Sequence, residues 1–65
     1  MTVYLFMELR DGNIFIREGN FGVSVDEWVE WIEDRFIKTN TRMVWSNPNE
    51  IIYPKDVVSI WAEEL

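Results

Sequence analysis

Cysteine and histidine are both absent from this chain, and glycine and proline are scarce, at three and two residues. Without cysteine there is no disulfide and no thiolate metal site. Without histidine a structural zinc loses its other usual ligand. Ser24, Ser46, Ser59 and the threonines then have no imidazole to act as general base. A Ser–Lys arrangement would need Lys38 or Lys55 buried, and both read as exposed. No Gly-rich phosphate loop and no calcium-loop spacing occurs. Paired carboxylates can hydrolyse glycosides, but only across a cleft that a single thin core does not readily build. The expectation is a protein that binds rather than catalyses, without cofactor or metal beyond loose divalent association at its carboxylates. The apolar run from Val3 to Met7 is too short for a signal or membrane segment, and Met1 to Glu8 has no basic region. A cytoplasmic location without membrane contact is expected.

What the chain does have is charge of one sign and aromatic bulk. Twelve carboxylates against six bases give a net charge of −6. That charge keeps a protein soluble, disfavours direct nucleic-acid binding, and suits a partner with a basic surface. Four Trp, four Phe and two Tyr stand among 65 residues. That length suits one domain, residues 1–65, which buries only about 60% of its unfolded surface. Large rings offset that shortage or furnish an interface.

The hydrophobic pattern predicts an α+β fold: a small antiparallel sheet, made of an N-terminal hairpin and two or three C-terminal strands, with one amphipathic helix on one face. A partly closed barrel is the variant. Residues 2–10 alternate, and Asp11-Gly12 signals a hairpin. With a two-residue loop, Leu9 faces Ile14 and Met7 faces Ile16. Val3, Leu5, Met7, Leu9, Ile14 and Ile16 then form the core face, leaving Tyr4, Phe6, Phe15, Glu8, Arg10 and Arg17 outside. Ser24 and Glu27 match a capping box, with Val23 and Trp28 at the staple positions. A helix from about Val25 to Lys38 follows, with Val25, Trp28, Val29, Ile32 and Phe36 as its apolar stripe. Short strands are expected at Arg42–Ser46 and Glu50–Tyr53, and a longer one at Val57–Glu63. A helix starting at Pro54 is the alternative for that last segment.

Three features bear on function. Asp26, Glu27, Glu30, Glu33 and Asp34 lie opposite the apolar stripe at about 100° per residue. The helix dipole accounts for Asp26 and Glu27 but not for Glu33 and Asp34, so the strip reads either as a solvated face or as a docking surface that imitates phosphate spacing. Trp31, at the edge of the stripe beside these acids, is either a core-edge residue or an interface anchor. Tyr4, Phe6 and Phe15 form either a second packed layer or an exposed patch suited to homodimerisation. Beside Arg10 and Arg17 they could also stack single-stranded bases, against the net charge. Trp45 and Trp61 read as core or cross-strand pairs.

The Asp11-Gly12 hairpin, the capped acidic helix and the closing Ile52-x-Pro54-x-x-Val57-x-x-Ile60-x-x-Glu63 resemble small acidic proteins encoded by phages and prophages. Some of these are stoichiometric inhibitors of host enzymes, including anti-CRISPR proteins and inhibitors of DNA-repair enzymes. The resemblance implies an inhibitor acting in the host-cell cytoplasm. It transfers no functional residue. The expected function is a small acidic protein-binding module that covers a basic, nucleic-acid-handling surface of a host protein. The expected contacts are Asp26, Glu27, Glu30, Trp31, Glu33 and Asp34. The alternative is a homo-oligomeric structural or accessory protein assembled through Tyr4, Phe6 and Phe15.

Overall fold

The strand β1 (Val3–Leu9) lies between β2 (Ile14–Gly19) and β5 (Val57–Glu64), antiparallel to both, in a three-stranded sheet of order β2-β1-β5. A separate two-stranded sheet joins β3 (Met43–Trp45) to β4 (Glu50–Ile52). Helix α1 (Val25–Ile32) links the two sheets in sequence, and a 3-10 turn, Pro54–Asp56, precedes β5. The computed structural model describes residues 2–19, 24–46 and 48–64. The staple residue Val23 lies outside them. The α+β architecture is as the pattern predicts, but the C-terminal strands are divided between two sheets.

The hairpin loop is one residue longer than its Asp-Gly signal suggests. Leu9 N–H donates to Asn13 O at 2.8 Å and Gly12 N–H to Leu9 O at 2.9 Å, so Arg10, Asp11 and Gly12 form a three-residue loop. Gly12 carries its positive φ of 93°. A two-residue type I′ turn would put Asp11 at positive φ as well, which costs a side-chain-bearing residue energy that glycine avoids. Asp11 instead uses its carboxylate to accept from the Asn13 backbone and side chain, both at 3.0 Å.

That one residue reverses β2. Met7 now faces Phe15, Phe6 faces Ile16 and Leu5 faces Arg17. A slip of one moves every side chain of a strand to the other face. Phe15 is therefore buried in the core instead of lying outside, and Ile14 and Ile16, expected inside, are 46% and 47% exposed. Arg17 also turns inward, and its guanidinium lies 4.4 Å from the Phe15 ring centre. It donates to Ile16 O and Pro48 O and pairs with Glu50 at 2.6 Å, fastening β2 to the β3–β4 hairpin.

Ser24 caps α1 as expected, its Oγ accepting from Glu27 N–H at 3.2 Å. The helix does not stay α-helical to Lys38. It widens into a π-helical turn, Glu33–Ile37, closed by Lys38 N–H donating to Glu33 O at 2.9 Å. The wider turn lets the adjacent residues Phe36 and Ile37 both pack against the core. Asn40, at φ 54°, then ends the helix. Its N–H meets Ile37 O, and Thr41 N–H meets Phe36 O, the paired bonds of a Schellman motif.

Leu5, Met7 and Phe15 from the hairpin, Trp28 and Ile32 from α1, and Met43 and Ile52 from the smaller sheet form the buried core. Met43 and Ile52 are direct cross-strand partners. Ile60 and Ala62 of β5 join opposite Met7 and Leu5. β5 is the strand expected, although Pro54 does open one short helical turn before it. Its pairing skips a residue at Val58, because Ser59 faces Glu8 while Val57 faces Leu9. Arg10 secures the join, donating from its guanidinium to Lys55 O at 2.9 and 3.2 Å.

The register gives a direct test. Phe15→Ala should cost about 3 kcal/mol or more, a large share of the stability of so small a domain. Ile16→Ala should cost under about 1 kcal/mol. Urea unfolding followed by tryptophan fluorescence separates the two, and the reverse order would restore the two-residue loop.

Candidate functional site

The capped, amphipathic α1 turns its apolar stripe inward, with Trp28 and Ile32 buried and Val25, Val29 and Phe36 half-buried. The acids predicted for the other side lie there. Asp26, Glu27, Glu30 and Asp34 are exposed and Glu33 is half-buried. Asp34 pairs with Lys38 one turn on, Nζ to Oδ1 at 2.7 Å. The other ion pair among the described residues is Arg17–Glu50, so Asp26, Glu27, Glu30 and Glu33 have no basic partner there. Arg35, the remaining base of this segment, stacks on Trp31 with its guanidinium 5.0 Å from the ring centre. No group of three or more carboxylates among the described residues converges to hold a metal ion.

Trp31 stands at the edge of this strip, 48% exposed, with Phe36 edge-on at 5.7 Å. It also borders a feature the sequence did not disclose. Between α1 and β3 lies a cavity of about 520 Å³, walled by Trp28, Trp31 and Phe36 on one side and by Val44 and Trp45 on the other, with Glu27 in its lining. Trp45 rests on Phe15 at 5.1 Å, and its Nε1–H is buried without a hydrogen-bond partner among the described residues. Four tryptophans within one small domain, three of which line the cavity, were the available signal. The missing step was that β3 lies across the cavity from α1, which no local pattern encodes.

On the opposite side of the larger sheet, the register sets out three rows of three: Ile14, Glu8 and Ser59; Ile16, Phe6 and Trp61; Glu18, Tyr4 and Glu63. The middle row is apolar, and Phe6 and Trp61 stack in parallel at 5.4 Å with 5° between their planes. Tyr4 and Phe6 thus lie on the outer face as predicted, while Ile14, Ile16 and Trp61 hold the place expected of Phe15. No base occupies this grid. Arg10, expected beside the aromatics, donates to Lys55 O, and Arg17 keeps its place beside Phe15 but on the core side of the sheet.

The chain matches no family model, and no curated protein or solved structure is similar to it. No helix among the described residues is long and apolar enough to cross a membrane.

The hydrogen bond and charge of Asp34, with smaller help from Glu33 and Glu30, hold the Lys38 pKa above its ordinary 10.5. The folded value is the higher one, so the stabilisation is complete below the ordinary lysine pKa and disappears as pH rises through the raised one. Because the pair is exposed, the effect is small. Alkaline titration of the Lys38 side chain by NMR should show the raised pKa, and Asp34→Asn should return it toward the ordinary value.

Proposed function

We propose that this chain is a small acidic protein-binding module that docks on the basic surface of another protein through the outer side of α1. The observation that supports this best is the run of exposed carboxylates, Asp26, Glu27 and Glu30, with half-buried Glu33, none of which forms an ion pair with a base among the described residues. Like charges one helical turn apart weaken a helix, so the strip works against folding where it could have been interleaved with lysine. A basic partner reverses that cost and is steered toward the strip over long range. Trp31 supplies a large, half-exposed ring at the edge, the residue type that most often anchors interfaces. A partner that is basic because it handles nucleic acid fits this chemistry, and the likeness to phage-encoded inhibitors points to a host enzyme whose nucleic-acid surface is covered. Such binding competes with nucleic acid.

Partner capture from a host lysate, compared for the wild type and the Glu30→Lys/Glu33→Lys variant, tests this. A partner should be retained by the wild type, released by added nucleic acid and lost in the variant. Its affinity should fall about tenfold or more between roughly 50 and 200 mM salt. Equal retention by a folded variant would end the reading.

The apolar middle row of the outer sheet face supports a second reading from another class, a homo-oligomeric accessory protein. Its contacts are Tyr4, Phe6, Ile14, Ile16 and Trp61 rather than the expected Tyr4, Phe6 and Phe15. Light scattering coupled to size exclusion should then show a dimer that Phe6→Glu dissociates, and a monomer at high concentration refutes it.

A further inference from the structure

We propose that the cavity between α1 and β3 is a binding site for a small organic cation, one that carries its charge on an apolar body, such as a quaternary ammonium or an alkylated amine. Its walls present three indoles and one phenyl ring, from Trp28, Trp31, Trp45 and Phe36. Aromatic faces are electron-rich and attract a cation held within about 6 Å, tryptophan most strongly. The ionisable residue in the lining is Glu27, and none of the six bases of the chain lines it. The rings and the carboxylate therefore favour the same sign of charge. The molecule already displays this preference, because the Arg35 guanidinium sits 5.0 Å from the centre of the Trp31 ring.

The chemical class follows from the balance of costs. A compact, strongly hydrated cation such as sodium loses too much solvation on entering an apolar hollow. An anion meets Glu27 and a chain of net charge −6. A neutral apolar molecule gains burial but nothing from the ring faces or the carboxylate. A cation clothed in methyl or methylene groups gains from all three. The volume of about 520 Å³ falls within the range of about 300–1,000 Å³ usual for small-molecule sites. The cavity shares Glu27 and Trp31 with the proposed docking strip, but Asp26, Glu30 and Glu33 do not line it, so the Glu30→Lys/Glu33→Lys variant leaves the lining unchanged and separates the two readings.

The full chain titrated with choline, with choline's neutral tert-butyl carbon isostere and with acetate, at constant ionic strength, provides the test. The four indole Nε1–H resonances report position. Trp28, Trp31 and Trp45 should shift saturably with choline, while Trp61, on the far face of the sheet, should stay in place. Choline should bind about tenfold or more tightly than its isostere, and acetate should leave all four unmoved. Glu27→Gln should weaken choline about fivefold. Glu27 contributes to the cap through its backbone N–H, so this variant keeps the Ser24 bond and its fold can be verified from the dispersion of the amide spectrum. Isostere binding as tight as choline, shifts at Trp61 equal to the others, unsaturated shifts throughout, or full affinity in folded Glu27→Gln would each overturn the proposal.

Discussion

The three-residue hairpin loop, closed by Leu9 N–H on Asn13 O with Gly12 at positive φ, decides which side of the sheet every residue of β2 occupies. With that loop, Phe15 goes to the core, Arg17 reaches the smaller sheet, and Ile14 and Ile16 face outward. The core depends on this choice, because Phe15 is the surface on which Trp45 rests, and Trp45 in turn forms part of the cavity wall. An extra Cβ at Gly12 would meet nothing within 4 Å. The requirement there is conformational rather than a matter of space.

The two broad faces of the molecule divide their chemistry. On one, α1 sets carboxylates beside tryptophan and leaves a hollow against β3. On the other, the larger sheet shows an apolar row flanked by Glu8, Glu18 and Glu63. Bases are few, and several are engaged internally: Arg10 with the turn before β5, Arg17 with Pro48 and Glu50, Arg35 with Trp31, Lys38 with Asp34. The surplus of negative charge is thus concentrated on surfaces rather than averaged over them.

Much of this was legible in the sequence where the signal is local. The Ser24 cap, the apolar stripe of α1, the alternation of β1 and the extended character of β5 each follow from neighbouring residues. The acids of α1 and the edge position of Trp31 follow from helical geometry alone. The register of β2 was not legible, because Asp-Gly serves two-residue and three-residue loops alike, and residues 14–18 carry large side chains at successive positions that suit either face. The π-helical turn was hidden for a similar reason: Phe36 and Ile37 are both apolar, and only packing shows that both are used. The cavity needed α1 and β3 to face one another, a placement of distant segments with no local mark.

The central strand of the larger sheet, β1, is made well before β5, one of its two partners, because α1 and the smaller sheet lie between them in the chain. Until β5 arrives, the hairpin carries an open row of backbone donors and acceptors beside Leu5 and Met7, a ready template for pairing with another chain. Translation therefore sets an interval in which this protein is most prone to associate with copies of itself. Anything that delays β5, such as a ribosomal pause after the smaller sheet, lengthens that interval and favours such pairing without altering a single native contact.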